Sequence, residues 1–131
     1  MDLIADTSLL VGVWRSQAWA RSFIVANDTK TLGIPWVVLG EFWHGAMKVG
    51  HDETQVRRFL SIGLAVMDPE PVIPVYARIC ASLRNQNVYR SIGQNDLWIA
   101  ATSVALGKPL VTGNVRHFEK IEGLQLEILG K

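Results

Sequence analysis

Four short apolar runs punctuate the chain: residues 3–5, 31–34, 64–67 and 110–112. Each is short enough to be a strand buried in a sheet. A fifth segment differs. Leu124, Leu126 and Ile128 alternate with Gln125 and Glu127, which predicts a half-exposed strand at a sheet edge.

Between the runs the apolar period lengthens to that of a helix. Val72, Val75, Tyr76, Ile79 and Leu83 form one apolar stripe, with Pro71 and Pro74 at or before its first turn, where a missing N–H costs least. Leu97, Ala100, Ala101 and Val104 form a second. It stops at Gly107-Lys108-Pro109, with glycine placed as the C-terminal cap. Val56, Phe59, Leu60 and Gly63 form a third, with Asp52 as the expected N-cap. Leu39, Phe42, Trp43 and Ala46 form a fourth. For residues 7–26 the pattern leaves open one bent helix or two. Short strands alternating with amphipathic helices predict an α/β fold with a mostly parallel sheet of about five short strands flanked by helices.

The chain has 131 residues, 49% hydrophobic and 19% charged. That predicts a single domain over residues 1–131 and excludes a disordered chain. No internal repeat, low-complexity tract or linker interrupts it. One cysteine, Cys80, forms no intrachain disulfide and reads as a small core residue. No run approaches the ~20 apolar residues of a membrane span, and the N-terminus lacks a basic leader region. A cytoplasmic protein without membrane contact is expected. Thirteen Lys and Arg balance twelve Asp and Glu, for a net charge of +1. A wide basic surface gripping a nucleic acid is therefore excluded. A small, local grip is not.

In parallel sheets, ligands bind beyond the carboxyl ends of the strands. Three acids stand in such places. Asp6 follows the first strand directly, either as a helix cap or as a functional carboxylate. Glu41 lies about two turns into the helix after the second strand, about 200° from Leu39 at ~100° per residue. Lys48 shares that side, so a solvated glutamate is the plain reading. Yet no carboxylate, Lys or Arg stands within one turn of Glu41, which suits a pocket. Asp96 opens the Leu97 helix, where Asn95 or Asp96 would cap it. Thr112 and Asn114 follow the fourth strand, either as an ordinary polar turn or as part of the cleft lining. Carboxylates from three βα units, brought to one end of a sheet, repel one another. A hard divalent cation such as Mg²⁺ or Mn²⁺ relieves this, and its common use is to activate water at a phosphate.

Five segments carry a family resemblance: LIADTSLL at 3–10, VVLGEFWHGA at 37–46, VYARICASLR at 75–84, SIGQNDLWIAATSVALG at 91–107 and LVTGNVRHFEKIEGLQL at 110–126. In order and spacing the chain resembles the PIN-domain ribonucleases, in particular the VapC-type toxins of toxin–antitoxin pairs. The resemblance implies a PIN-like three-layer fold and a metal-dependent endoribonuclease. Asp6, Glu41 and Asp96 match the acids that bind Mg²⁺ or Mn²⁺. It also implies RNA as substrate, a cognate antitoxin as partner and a homodimer. Thr112 and Asn114 would position a ligand water or the phosphate. Arg116 is the expected phosphate contact, with Arg84 and Arg90 further off. Many relatives carry a fourth acid where Asn114 or His117 stands here. That puts a second metal ion in doubt, and His117 is read as a surface residue. Trp36, which follows Pro35 at the entry to its helix, replaces the Ser or Thr often found there. Trp14, Trp19 and Trp98 are candidate partner contacts, whereas Trp43 belongs to the core.

Two other functions compete. A degenerate PIN-like module would bind RNA or a partner without cutting. A signalling receiver domain would use Asp68 as phosphoacceptor, but it needs a second acid beside Asp6 and a lysine after a strand. Lys108 instead precedes one.

Overall fold

A computed structural model describes residues 1–129. Its elements run β1 (Leu3–Ala5), α1 (Thr7–Trp14), α2 (Ala18–Ala26), β2 (Leu32–Pro35), α3 (Trp36–Val49), α4 (Glu53–Leu60), β3 (Leu64–Val66), α5 (Val72–Asn85), α6 (Gln94–Leu106), β4 (Leu110–Thr112) and β5 (Leu126–Ile128). Single 3₁₀ turns precede α6 (Tyr89–Ser91) and follow β4 (Val115–His117).

All pairings in the sheet are parallel, and the strand order is β3-β2-β1-β4-β5. The α/β reading therefore holds. β1 sits at the centre with all three residues buried. The chain steps outward from β1 to β3, then restarts on the other side of β1 with β4. The order thus reverses between β1 and β4, and a crevice opens beyond their carboxyl ends. Asp6 and Thr112 stand there. β5 forms an edge, as its alternation predicts: Leu126 is half-buried and Glu127 exposed. The side chain of Ile128 lies outside the described part.

The helical stripes bury as expected on α5 and α6, through Val72, Val75, Ile79, Leu83, Leu97, Ala100 and Ala101. Gly107 ends α6 in the left-handed region (φ 64°) and Asp52 caps α4 by accepting from Gln55 N. On α3 the buried row is Val38, Phe42 and Ala46, with Leu39 only half-buried. Cys80 is also half-buried. Trp14 packs edge-on against Phe42 and Phe59, tying α1 to α3 and α4. Trp98 stacks on Tyr76 with centroids 3.6 Å apart and leans toward Trp36. Trp43 is half-buried beneath the Arg57 guanidinium. Among the described residues no helix is long and apolar enough to cross a membrane.

The receiver reading fails on topology. β3 is an edge strand, so Asp68 stands beyond β2, away from the crevice, where it is exposed and accepts from Glu70 N.

Residues 7–26 form two helices. The chain breaks at Ser16, which takes a left-handed conformation (φ 53°). Gly12 lets the two approach: a Cβ there would lie 2.5 Å from the Trp19 ring and 2.9 Å from Ala20 Cβ. Gly12→Ala is therefore expected to cost ~1–3 kcal/mol through overpacking, reversing the ~1 kcal/mol that alanine normally adds in a helix. Urea unfolding followed by tryptophan fluorescence measures the sign and the size.

Candidate acidic site

Asp6 is the N-cap of α1 and is 4% exposed. Capping and site placement are thus one position, not alternatives. Its Oδ1 accepts from Thr7 N at 2.7 Å. Its Oδ2 accepts from Ser8 Oγ at 3.0 Å and from Thr112 Oγ1 at 2.7 Å.

Glu41 is half-buried rather than solvated. Thr7 Oγ1 donates to its Oε1 at 2.6 Å, and Asn95 Nδ2 donates to its Oε2 at 3.3 Å. Each donor neighbours another acid in sequence: Thr7 follows Asp6, and Asn95 precedes Asp96. The same residues that place two of the acids therefore hold the third.

Asp96 lies in the first turn of α6. The expectation that Asn95 or Asp96 caps this helix is not met. The helix begins two residues earlier, with Gly93 at the N-cap. That frees Asn95 for Glu41 and leaves the Asp96 carboxylate for the site. Burial raises the pKa of Asp96 above 3.8, and the nearby charges of Asp6 and Glu41 add to the rise, while His117 opposes it. The three acids thus feel one another. Among the described residues none has a Lys or Arg at ion-pair distance.

Thr112 is fully buried. Its hydroxyl donates to Asp6 and accepts from Asn114 N at 2.9 Å. It therefore faces Asp6, not the open cleft where a phosphate would sit. The reason is register: Thr112 is the last residue of β4, next to β1, and its side chain meets the carboxylate just past the end of β1. The Asn114 side chain is exposed and makes no hydrogen bond among the described residues. Arg116 is exposed on the turn after β4. Arg84 lies over the Tyr89 ring, 4.2 Å from its centroid, and Arg90 is exposed.

His117 is more than a surface residue. Its Nδ1 stands 3.0 Å from Asp96 Oδ2. Sequence reasoning missed Thr7, Ser8 and Asn95 as acid partners; their place directly after Asp6 or before Asp96 is the signal that could have found them. Nothing comparable marks His117, which is 21 positions from its partner.

The fold and this crevice can now be set beside known proteins. The family model for the PIN domain matches residues 3–124. The chain belongs to the PIN-domain family. Ribonuclease VapC1 of Rickettsia felis is 30% identical to this PIN domain over 96% of the chain and 95% of its own length. Ribonuclease VapC2 of Haemophilus influenzae is 33% identical, covering 97% of each. Among solved structures, DNA-bound VapBC from Salmonella typhimurium superposes with a TM-score of 0.84 at 25% identity, covering 98% of each chain. VapBC2 from Rickettsia felis, bound to a promoter DNA fragment, gives 0.83 at 24% identity, covering 99% of this chain and 100% of its own; it supports the fold.

Two outcomes follow from the geometry of this PIN domain. A carboxyl whose pKa rises on folding opposes folding when ionised. Asp96→Asn is therefore expected to raise the melting temperature of the metal-free protein near neutral pH. The gain shrinks as pH falls through the raised value toward 3.8, where the wild-type carboxyl protonates too. Melting curves across that range in the presence of a chelator test this. Thr112→Val keeps the shape but removes the hydroxyl, leaving Asp6 and Asn114 N each short of a partner. A loss of ~1–3 kcal/mol in chemical denaturation is expected.

Proposed function

We propose that this chain is a metal-dependent endoribonuclease, the toxin of a toxin–antitoxin pair. The observation that carries the reading is the convergence of Asp6, Glu41 and Asp96 on one crevice with no Lys or Arg among the described residues at ion-pair distance. Relatives called ribonuclease VapC at about 30% identity over nearly the whole chain support the reaction class. Solved VapBC neighbours support an antitoxin partner. RNA in the cytoplasm is the substrate in this reading, and a homodimer the working form.

The donor set suits Mg²⁺ or Mn²⁺. It consists of carboxylate oxygens, which hard divalent ions prefer. Among the described residues no three His, Cys, Asp or Glu side chains form a ready-made cage for one ion. That accords with Mg²⁺, which keeps several waters and takes only one or two carboxylates directly. Asp6, Glu41 and Asp96 would hold the ion, partly through water. When bound, such an ion makes a water nucleophilic at neutral pH and offsets charge on a phosphate.

The chain's own residues supply the positioning. Thr112, Ser8 and Thr7 N fix the Asp6 carboxylate. Thr7 and Asn95 fix Glu41 from two sides. Asn114, exposed beside the crevice, would hold a water or a phosphate oxygen, and Arg116 would contact the RNA backbone. Asn114, non-acidic and exposed beside the crevice, favours a second reading, in which the domain binds RNA or a partner without cutting it.

A labelled RNA incubated with the purified chain separates these readings. Wild type should cut in Mg²⁺ or Mn²⁺ and stop on addition of a chelator. The Asp6→Asn, Asp96→Asn double variant should keep the far-ultraviolet circular dichroism of wild type and lose cleavage. Undiminished cutting by the double variant overturns the proposal. RNA binding without cutting by wild type establishes the second reading.

A further inference from the structure

We infer that His117 is a positioning residue for Asp96. This rests on the metal-binding reading above. The observation is the short approach of His117 Nδ1 to Asp96 Oδ2, 3.0 Å, in a crevice that offers this carboxylate no Lys or Arg.

The backbone explains why the imidazole is held there. After Thr112 the chain makes a single 3₁₀ turn, closed by His117 N donating to Asn114 O and Phe118 N donating to Val115 O. Phe118 is 1% exposed and belongs to the core. The turn is therefore anchored at both ends, by Thr112 on Asp6 and by Phe118 in the core. The backbone of His117 is thereby fixed beside Asp96. One segment, residues 112–118, thereby grips two acids that reach the crevice from β1 and α6.

The consequence is directional. With His117 Nδ1 close against Oδ2, Oδ1 is the oxygen of Asp96 left clear among the described residues. In the metal-binding reading, that contact would leave Oδ1 as the oxygen of Asp96 open to an ion. Carboxylate ligands elsewhere are oriented by such outer partners, and losing one costs about 10–100-fold in metal affinity. His117 is half-exposed, so its removal should spare the fold.

The test is Mn²⁺ binding to the full chain by isothermal titration calorimetry, with melting temperature as the control for folding. His117→Ala should weaken Mn²⁺ binding by about 10–100-fold with only a small drop in the metal-free melting temperature, the part of the Asp96 charge that His117 offsets. His117→Asn should restore most of the affinity, because an asparagine Nδ2 can donate where histidine Nδ1 does. His117→Gln, whose amide reaches further, should not. Equal Mn²⁺ affinity in wild type and His117→Ala overturns the positioning role while leaving the metal reading intact. Equal weakening by Asn and Ala overturns it too, since packing alone would then explain the loss. A wild type that binds no Mn²⁺ overturns the metal reading, and this inference with it.

Discussion

The structure depends on keeping three carboxylates together in a partly buried crevice where, among the described residues, His117 beside Asp96 is the one basic side chain at ion-pair distance. Coulomb repulsion and lost hydration both oppose that arrangement. Neutral donors counter it: two hydroxyls and a backbone N–H on Asp6, a hydroxyl and an amide on Glu41. Asp6 and Asp96 also sit at the first turns of α1 and α6, where helix dipoles favour negative charge. For Asp96 these gains do not suffice, since its pKa is still raised, by burial first. The site thus carries a standing cost that a bound cation would remove. That pattern marks a functional crevice more than a structural one, because stability alone would favour neutral side chains there.

The parallel sheet makes the gathering possible. β1 and β4 are neighbours although 105 positions separate Ala5 from Leu110. Their carboxyl ends place Asp6 against Thr112. Helices that start at the same end then bring Glu41 and Asp96 inward. No acid is close in sequence to another, so the crevice exists only when the strand order is complete.

Much of this was legible beforehand. Runs of three or four apolar residues mark buried strands because a central parallel strand is covered on both faces, and β1 and β4 fit that rule. Position at or just after the end of a strand pointed to Asp6 and Thr112, position at the start of a helix to Asp96, and the lack of charged neighbours to Glu41. What stayed hidden depended on local backbone choices with similar energies. Gly93 rather than Asn95 caps α6, and that shift of a residue or two decides whether Asn95 serves the helix or Glu41. Ser16 breaks the first helical region through a left-handed conformation that few residues other than glycine favour. Whether the Thr112 hydroxyl points inward is set by the pairing of β4 with β1, which periodicity does not reveal. His117 was hidden for the plainest reason: its partner is 21 residues away and the turn between them has no apolar pattern.

The charge balance acquires a sharper meaning from this geometry. A net charge of +1 describes the whole surface, whereas the crevice is acidic and would repel a polyanion such as RNA. Counted without an ion, the local field points the wrong way for the proposed substrate; a divalent cation reverses it. In the proposed reaction the same ion would therefore serve approach as well as chemistry. The basic groups nearest the crevice in sequence, Arg116 and His117, stand on one 3₁₀ turn. Both are exposed to solvent, and His117 also approaches Asp96. That division of labour explains how a chain without a broad basic surface could still hold RNA: cations are few, and their placement relative to the acids matters more than their number.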